Sequence, residues 1–183
     1  MKKENIHITG DLVVIKSVTE NDIEDYLHIK RYATNLKAEY DKENGFWEYM
    51  KPRLIEDING SDCICLIYLK STSHAIGYID LQLENEHRPQ VGLGILENER
   101  KKGYAMEASR LLIQRVLKHD EIECIEWMTT SGNEASNRIA LKLGGRIIRK
   151  EPIIPKEALE HWDDENSEET EIPCYVVYGI YRE

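Results

Sequence analysis

One segment, Val91–Val116, limits most narrowly what this chain can fold into. It begins with Val91–Leu96, a run of apolar residues and glycines that is typical of a buried strand. The basic turn Arg100–Gly103 follows, and an amphipathic helix then repeats apolar residues through Ala105–Val116. A strand, a glycine-containing turn and a helix in this order are typical of an anion-binding site, because the first N–H groups of a helix have no partner within it.

The residues of this turn favour a phosphate or diphosphate as the anion. Arg100, Lys101 and Lys102 add positive charge beside the helix N-terminus, where the helix dipole already favours an anion. Gly103 lets the backbone approach a ligand where a Cβ atom would collide with it. The sequence therefore predicts a phosphate-binding turn between Leu96 and the helix.

The same turn carries a family resemblance. Arg100–Ala105 (RKKGYA) matches the pattern Arg/Gln-x-x-Gly-x-Gly/Ala, the acyl-CoA signature of the GCN5-related N-acetyltransferases (GNAT), and Met106–Ala108 resembles the ribosomal-protein-alanine acetyltransferase branch. A second motif, Asn133–Arg138 followed by Lys142–Gly144, is similar to the Asn-x-x-Ser helix of that branch. Both motifs occur in the expected order, each on the expected kind of element.

The hydrophobic pattern predicts the element order β-α-α-β-β-β-α-β-α-β-β within one domain, residues 1–183. The predicted strands are Leu12–Ile15, Asp62–Lys70, Ala75–Leu83, Val91–Leu96, Ile122–Met128, Arg146–Ile154 and Cys174–Tyr181. The predicted helices are Thr19–Tyr32, Asn44–Asp57 with an interruption or kink near Pro52, Ala105–Val116 and Asn133–Leu143. In Ala75–Leu83, alternation places Ile76, Tyr78 and Asp80 on one face. Periodicity alone favours an α+β class. The resemblance implies a GNAT-like α/β fold (mixed α+β), a mostly antiparallel twisted sheet with a splayed strand pair, flanked by helices.

Charge and composition exclude several classes. The chain has 24 Lys and Arg against 34 Asp and Glu, a formal net charge of −10, which argues against a nucleic-acid partner and favours a cationic one. No apolar run is long enough for a membrane span, and no apolar segment follows the N-terminal lysines, so we expect a cytoplasmic protein without a membrane partner. The four cysteines lie in predicted strands without metal-ligand spacing, which predicts buried small residues and no metal site.

The resemblance implies direct attack of an amine on the thioester carbonyl of acetyl-CoA, the co-substrate. Polyamines, amino sugars and basic peptide N-termini all remain candidate acceptors. Backbone N–H groups of Gly94, Ile95 or Leu96 would stabilise the oxyanion. Gly92 and Gly94 would clear space for the cofactor arm. The expected cofactor-binding residues are Gly94, Ile95, Leu96, Arg100, Lys101, Lys102, Gly103, Tyr104, Ala105, Asn133 and Ser136.

The proton chemistry is less defined by sequence. Ser136 matches a serine that protonates the leaving thiolate in the ribosomal-protein branch, while Asn133 could contact the cofactor or cap its helix. Two positions depart from relatives: Ala140 replaces a frequent tyrosine acid, and Gln90 replaces a frequent glutamate. Candidate proton acceptors are Asp80, Glu84 and Glu126 on predicted strands and His87 in the following turn, although a surface position is the favoured interpretation of each, and water acting through a chain is an equal alternative. Tyr175, Tyr178 and Tyr181 are candidates to replace the missing phenol.

Two alternatives to an active enzyme stay open. The departures at Gln90 and Ala140 leave room for an inactive acyl-CoA-binding module of the same fold. An unrelated nucleotide-binding protein is disfavoured, because neither G-x-G-x-x-G nor G-x-x-x-x-G-K-[ST] occurs. A homodimer through the last strands is a further expectation from the resemblance.

Several aromatic and acidic residues have two interpretations. Trp47 and Tyr49 could contact the acceptor. Trp127 and Trp162 could line or shield its pocket, with a place in the core as the alternative for Trp127. The acidic segment between residues 155 and 173 is a solvated loop or a lid that attracts cationic acceptors.

Overall fold

A computed structural model describes residues 5–33, 45–60, 63–153 and 173–182. In this part of the chain eight strands form one sheet in the order β1-β2-β3-β4-β5-β6-β8-β7, and four α-helices flank it. The strands are β1 (His7–Thr9), β2 (Val13–Ser17), β3 (Cys63–Leu69), β4 (Ala75–Gln82), β5 (Gln90–Ile95), β6 (Ile125–Thr130), β7 (Arg146–Pro152) and β8 (Cys174–Ile180). The helices are α1 (Ile23–Ala33), α2 (Phe46–Asn59), α3 (Tyr104–Val116) and α4 (Glu134–Lys142).

The sheet is antiparallel except where β5 meets β6. These two strands are parallel, and they pair only at Gln90 with Glu126 and at Val91 with Trp127. Beyond Val91, β5 keeps its pairing with β4 through Ile95, and β6 keeps its pairing with β8 through Thr130. The two strands therefore separate within a continuous sheet, and this separation, which we call the fork, confirms the expected splayed strand pair. It begins at Trp127.

Alternation along the strands divides the core into two layers. In β3, Ile64 and Leu66 face α1 and α2, while Cys63, Cys65 and Ile67 face the opposite side. The α1/α2 face buries α1 side chains such as Tyr26 and Ile29. The α3/α4 face buries the larger cluster, which includes Leu112 of α3 and Ala140 of α4. The mixed fold and mostly antiparallel sheet are as predicted.

The structure differs from the predicted elements at a few positions. Strand β1 was not predicted, because three residues are too short to show a period. Strand β6 begins three residues later than Ile122, whose N–H instead donates to His119 O in a turn. Ile76 is buried with Ile79 on the α3/α4 face rather than with Tyr78, because the register between β3 and β4 shifts by one residue beside it. Helix α2 runs through Pro52.

Three of the four cysteines have the buried environment that the sequence predicts. Cys63, Cys65 and Cys124 are buried, Cys174 is half-buried, and all four are free thiols, which confirms the expectation of small packed residues for the first three. Among the described residues no helix is long and apolar enough to cross a membrane, and no group of three or more His, Cys, Asp or Glu could hold a metal ion.

The turn between β1 and β2 is fastened to the first turn of α3 by a buried carboxylate. Glu107 is 7% exposed, and its side chain accepts hydrogen bonds from the N–H groups of Asp11 and Leu12. Gly10 makes this contact close, since a Cβ atom there would lie 2.4 Å from Glu107 Oε1. Lys70 Nζ donates to Gly10 O at 2.9 Å and holds the turn from its other side.

We predict that Glu107→Ala lowers the free energy of unfolding by about 2 kcal/mol, because two backbone N–H groups lose a charged acceptor. Urea denaturation of both proteins measures this difference. Glu134→Ala is the matched control: Glu134 also lies in a first helical turn but is exposed, so we expect a loss below about 1 kcal/mol. Equal losses in the two variants would show that Glu107 acts only through the helix dipole.

Candidate active site

The fork exposes one backbone edge of β5. Leu96 N–H donates to Ile76 O at 2.9 Å, so this group faces β4. Because backbone groups alternate along a strand, Ile95 and Leu93 direct their N–H and C=O groups to the other edge, which β6 no longer covers. Sequence reasoning proposed the N–H groups of Gly94, Ile95 or Leu96 as oxyanion donors. The geometry favours the N–H group of Ile95 and adds that of Leu93. The alternation of residues along β5 is the sequence signal that could have identified Leu93.

The basic turn after β5 has the backbone shape of an anion-binding turn. Lys101 and Gly103 adopt positive φ angles of 63° and 89°, and Glu107 N–H makes the first helical bond, to Gly103 O. The N–H groups of Tyr104 and Ala105 precede that bond and are available to a ligand. Arg100 Nε donates to Ile95 O at 3.0 Å, which joins the turn to the fork. Lys102 instead pairs with Glu99 at 2.9 Å.

Helix α4 places a serine beside the fork. Asn133 caps the helix, because its Oδ1 accepts from Ser136 N at 3.2 Å, and its amide nitrogen is left for another contact. The Ser136 hydroxyl accepts a hydrogen bond from Trp127 Nε1 at 2.9 Å. Trp127 lies at the last paired position of β6, so this bond links Ser136 to the point where the sheet opens.

A buried ion pair lies on the opposite face of the fork. Asp80 of β4 is 5% exposed, and its Oδ2 lies 3.1 Å from Lys30 Nζ of α1. Lys30 also lies 3.7 Å from the centre of the Tyr78 ring. Burial alone would lower the pKa of Lys30, but the Asp80 carboxylate outweighs it and the pKa is raised, so the lysine stays charged. Asp80 Oδ1 is buried without a hydrogen-bond partner among the described residues.

Two glycines of β5 make room for this face. A Cβ atom at Gly92 would lie 2.3 Å from Asp80 Oδ1, and one at Gly94 would lie 2.4 Å from Tyr78 Cε1 and 2.8 Å from Ala33 O. On this face the missing side chains therefore admit groups of the chain itself, and the expectation that they also clear space for a cofactor arm stays a prediction. As a result the Asp80 carboxylate lies against Gly92, one residue beyond the last pair with β6.

The other candidate proton acceptors are either held in an ion pair or exposed. Glu126, the partner of Gln90, is 8% exposed and forms an ion pair with Arg149 at 2.8 Å. Arg149 also binds Glu151 at 2.6 Å. Glu84 is exposed on the loop after β4. His87 is exposed too, and its Nδ1 lies 2.8 Å from Glu121 O.

Of the three candidate tyrosines, Tyr178 lies beside α4. Its hydroxyl donates to Asn137 Oδ1 at 2.8 Å, and burial raises the pKa of this phenol. Tyr175 and Tyr181 are exposed. Asn137, which sequence reasoning missed, also donates from Nδ2 to Thr130 O and Asn133 O and ties α4 to the end of β6. Its position one helical turn after Asn133 was the available signal.

The aromatic residues divide between core and surface. Trp47 and Trp127 are buried, the first beneath α1 and α2 and the second on the α3/α4 face. Tyr49 is exposed and stacks with Arg53, whose guanidinium carbon is 4.5 Å from the ring centre. Trp162 and the acidic segment lie outside the described residues.

Comparison with known proteins gives the family. The acetyltransferase (GNAT) domain profile matches residues 13–146, which is more than half of the chain. The chain belongs to the GNAT acetyltransferase family. No curated protein sequence matches it significantly.

Solved GNAT structures share the fold at low sequence identity. A GNAT-family acetyltransferase from Bacillus anthracis is 16% identical, with a TM-score of 0.69 over 96% of this chain and 98% of that one. The ribosomal-protein-S5-alanine acetyltransferase from Vibrio fischeri is 12% identical, with a TM-score of 0.67 over 97% of both chains. The microcin C7 self-immunity acetyltransferase MccE, in complex with acetyl-CoA and AMP, is 14% identical, with a TM-score of 0.67 over 94% of both chains.

The family and the geometry of the β5 edge and the basic turn are both compatible with acetyl-CoA as the ligand. The free edge of β5 at Leu93 and Ile95 offers N–H and C=O groups to an amide-containing arm, and the turn at Gly103 offers N–H groups to a diphosphate. Arg100 connects the two through Ile95 O. These contacts are expectations for a bound ligand.

We predict that Gly103→Glu abolishes acetyl-CoA binding in isothermal titration, because a side chain and a negative charge enter the anion-binding turn. Gly45→Glu is the matched control. Gly45 precedes α2 with a positive φ of 72°, and a Cβ atom there would meet no other atom within 4 Å, so the variant carries the same strain and charge far from the turn. Wild-type affinity in Gly103→Glu would place the diphosphate elsewhere.

We predict that Lys30→Met lowers the free energy of unfolding by about 3–5 kcal/mol at neutral pH, because Asp80 is left buried and unpaired. The double variant Lys30→Met/Asp80→Asn should recover part of this loss, and urea denaturation measures the coupling. Since the pKa of Lys30 is raised, the stabilisation is complete at neutral pH and is lost only as the pH rises above the ordinary lysine pKa.

Lys51→Met serves as the control for that experiment. Lys51 forms an exposed pair with Glu48 at 3.3 Å, and exposed pairs contribute about 0–1 kcal/mol. A loss of stability no larger for Lys30→Met than for Lys51→Met would contradict a strong buried pair.

Proposed function

We propose that this protein transfers the acetyl group of acetyl-CoA to a primary amine by direct attack. The observation that carries the proposal is the fork, whose free β5 edge lies between Asp80 on one face and Ser136 on the other. In this arrangement the thioester carbonyl occupies the gap. The amine arrives from the α1/α2 face, and the sulfur leaves towards the α3/α4 face.

Each step of the proposed transfer is assigned to residues that lie at the fork. The N–H groups of Leu93 and Ile95 stabilise the carbonyl oxygen as it becomes negative, since preorganised donors act most strongly where charge develops. Asp80 is the proposed proton acceptor, because Oδ1 lies against Gly92 and lacks a partner in the described structure. Lys30 holds the other oxygen and keeps the carboxylate in place. A protonated amine is no nucleophile, so this proton removal is required before attack.

Ser136 is the proposed partner of the leaving sulfur. Its hydroxyl oxygen already accepts from Trp127, which leaves its O–H to donate. A thiol is a stronger acid than a serine hydroxyl, so Ser136 stabilises the thiolate by a hydrogen bond and need not lose its proton. Glu126 is a second proposed catalytic residue, and it is held in an ion pair with Arg149 at 2.8 Å.

The acceptor is proposed to be a cationic amine, namely a polyamine, an amino sugar or the N-terminus of a peptide. The net charge of −10 favours a cation, and Asp80 and Glu126 both lie on the proposed entry face. The ribosomal-protein acetyltransferase among the solved relatives supports including peptide N-termini.

Release of free thiol from acetyl-CoA, measured with polyamines, aminoglycosides and peptides beginning with Ala or Ser, tests the proposal. We expect saturable release with at least one class. Ala140 is fully buried without a phenol, and this favours a second candidate, an inactive acyl-CoA-binding module. Tight acetyl-CoA binding without thiol release from any amine would support that module and reject the transferase.

We predict that Asp80→Asn lowers kcat by about 10²–10⁴-fold at neutral pH, the usual contribution of a general base. The loss should shrink as the pH rises, because more of the acceptor amine is then already deprotonated. Steady-state rates across a pH series measure this, with Glu84→Gln as the exposed control carboxylate. A loss that is equal at every pH would point to a structural role for Asp80.

A further inference from the structure

Trp127 occupies the position where β5 and β6 stop pairing. It is the partner of Val91, the last paired residue of β5, and it is 3% exposed on the α3/α4 face. Its indole nitrogen is a donor only, and the hydrogen bond to Ser136 Oγ is 2.9 Å long. The Trp127 side chain therefore packs at the fork and also donates the hydrogen bond that the Ser136 hydroxyl oxygen accepts.

A second serine of the chain donates its hydroxyl proton within its own helix, which Ser136 does not do. Ser109 in α3 is fully buried, and its O–H donates back to Ala105 O at 2.8 Å, as serines within helices often do. The hydroxyl proton of Ser109 is therefore used in a hydrogen bond within its own helix. Ser136 lies in the first turn of α4, its N–H is satisfied by Asn133, and its oxygen receives the indole N–H. Its own proton is free to point away from Trp127.

We propose that Trp127 is the positioning residue that turns the Ser136 hydroxyl towards the sulfur of acetyl-CoA. This inference rests on the proposed acetyl transfer. In the reaction the C–N bond forms as the C–S bond breaks, and the C–S electron pair passes to sulfur. Ser136 donates a hydrogen bond to that sulfur and keeps its proton. The proton that the amine loses passes to Asp80 and solvent, and the thiolate takes one from solvent.

Single-turnover acetyl transfer by Trp127→Phe tests this role, because phenylalanine keeps an aromatic ring but has no N–H. We expect the rate to fall about 3–10-fold with acetyl-CoA affinity within twofold of wild type, the size of one lost hydrogen bond. In a Ser136→Ala background the same substitution should have no further effect. Ile125→Val, which loosens the same face of β6 without removing a hydrogen bond, should leave the rate unchanged.

The outcomes separate the two claims. An active wild type in which Trp127→Phe slows transfer equally with and without Ser136 would overturn the positioning role alone. A wild type that binds acetyl-CoA but transfers nothing would overturn the transferase and the positioning role together. An NMR measurement keeps the test independent of rate and of the folding of Trp127→Phe. The indole N–H resonance of Trp127 should shift and exchange faster in Ser136→Ala, and an unchanged resonance would overturn the proposal.

Discussion

The early end of the β5–β6 ladder is the constraint on which the rest of the site depends. Two residue pairs hold these strands together, whereas β4 and β8 support them along most of their length from the outer sides. The sheet can therefore open in its middle without losing a strand. The opening leaves the N–H and C=O groups of Leu93 and the N–H group of Ile95 without a strand partner, and such groups require a ligand or water. The C=O group of Ile95 already accepts from Arg100. This free edge is the proposed binding surface, because β6 does not supply the hydrogen bonds that a continuous sheet would make there.

The two faces of the fork differ in chemistry because strand alternation sends neighbouring residues to opposite sides. Glu126 faces α1 and α2, and Trp127, the next residue, faces α3 and α4. Asp80 and Lys30 add a buried ion pair to the first face, where removing two charges from water is costly unless their geometry is good. Lys30 of α1 and the small residue Gly92 together keep the Asp80 carboxylate at the opening.

Local patterns predicted the parts of the site that are local. The turn at Gly103, the helix that follows it and the cap at Asn133 all depend on residues close in sequence, and each lies where it was predicted. Contacts between distant segments could not be predicted in this way. Glu107 binds a turn 95 and 96 residues earlier, and Lys30 pairs with a residue 50 positions away. The periodicity of apolar residues indicates which side of a strand is buried. It identifies neither the residue that a side chain contacts nor a register shift such as the one beside Ile76.

Packing explains why residue 140 is not suited to the role of thiolate partner that is proposed for Ser136. Ala140 is fully buried, and Gly145 comes so close that a Cβ atom there would lie 2.7 Å from Ala140 O and 3.2 Å from Tyr178 Cβ. A tyrosine at position 140 would overfill this space, because the alanine there is already fully buried at the end of α4. Ser136 lies one turn earlier on the same face of α4 and is half-buried beside the fork. The departure at Ala140 and the proposed use of Ser136 therefore have one cause, the close packing of the end of α4 on β8.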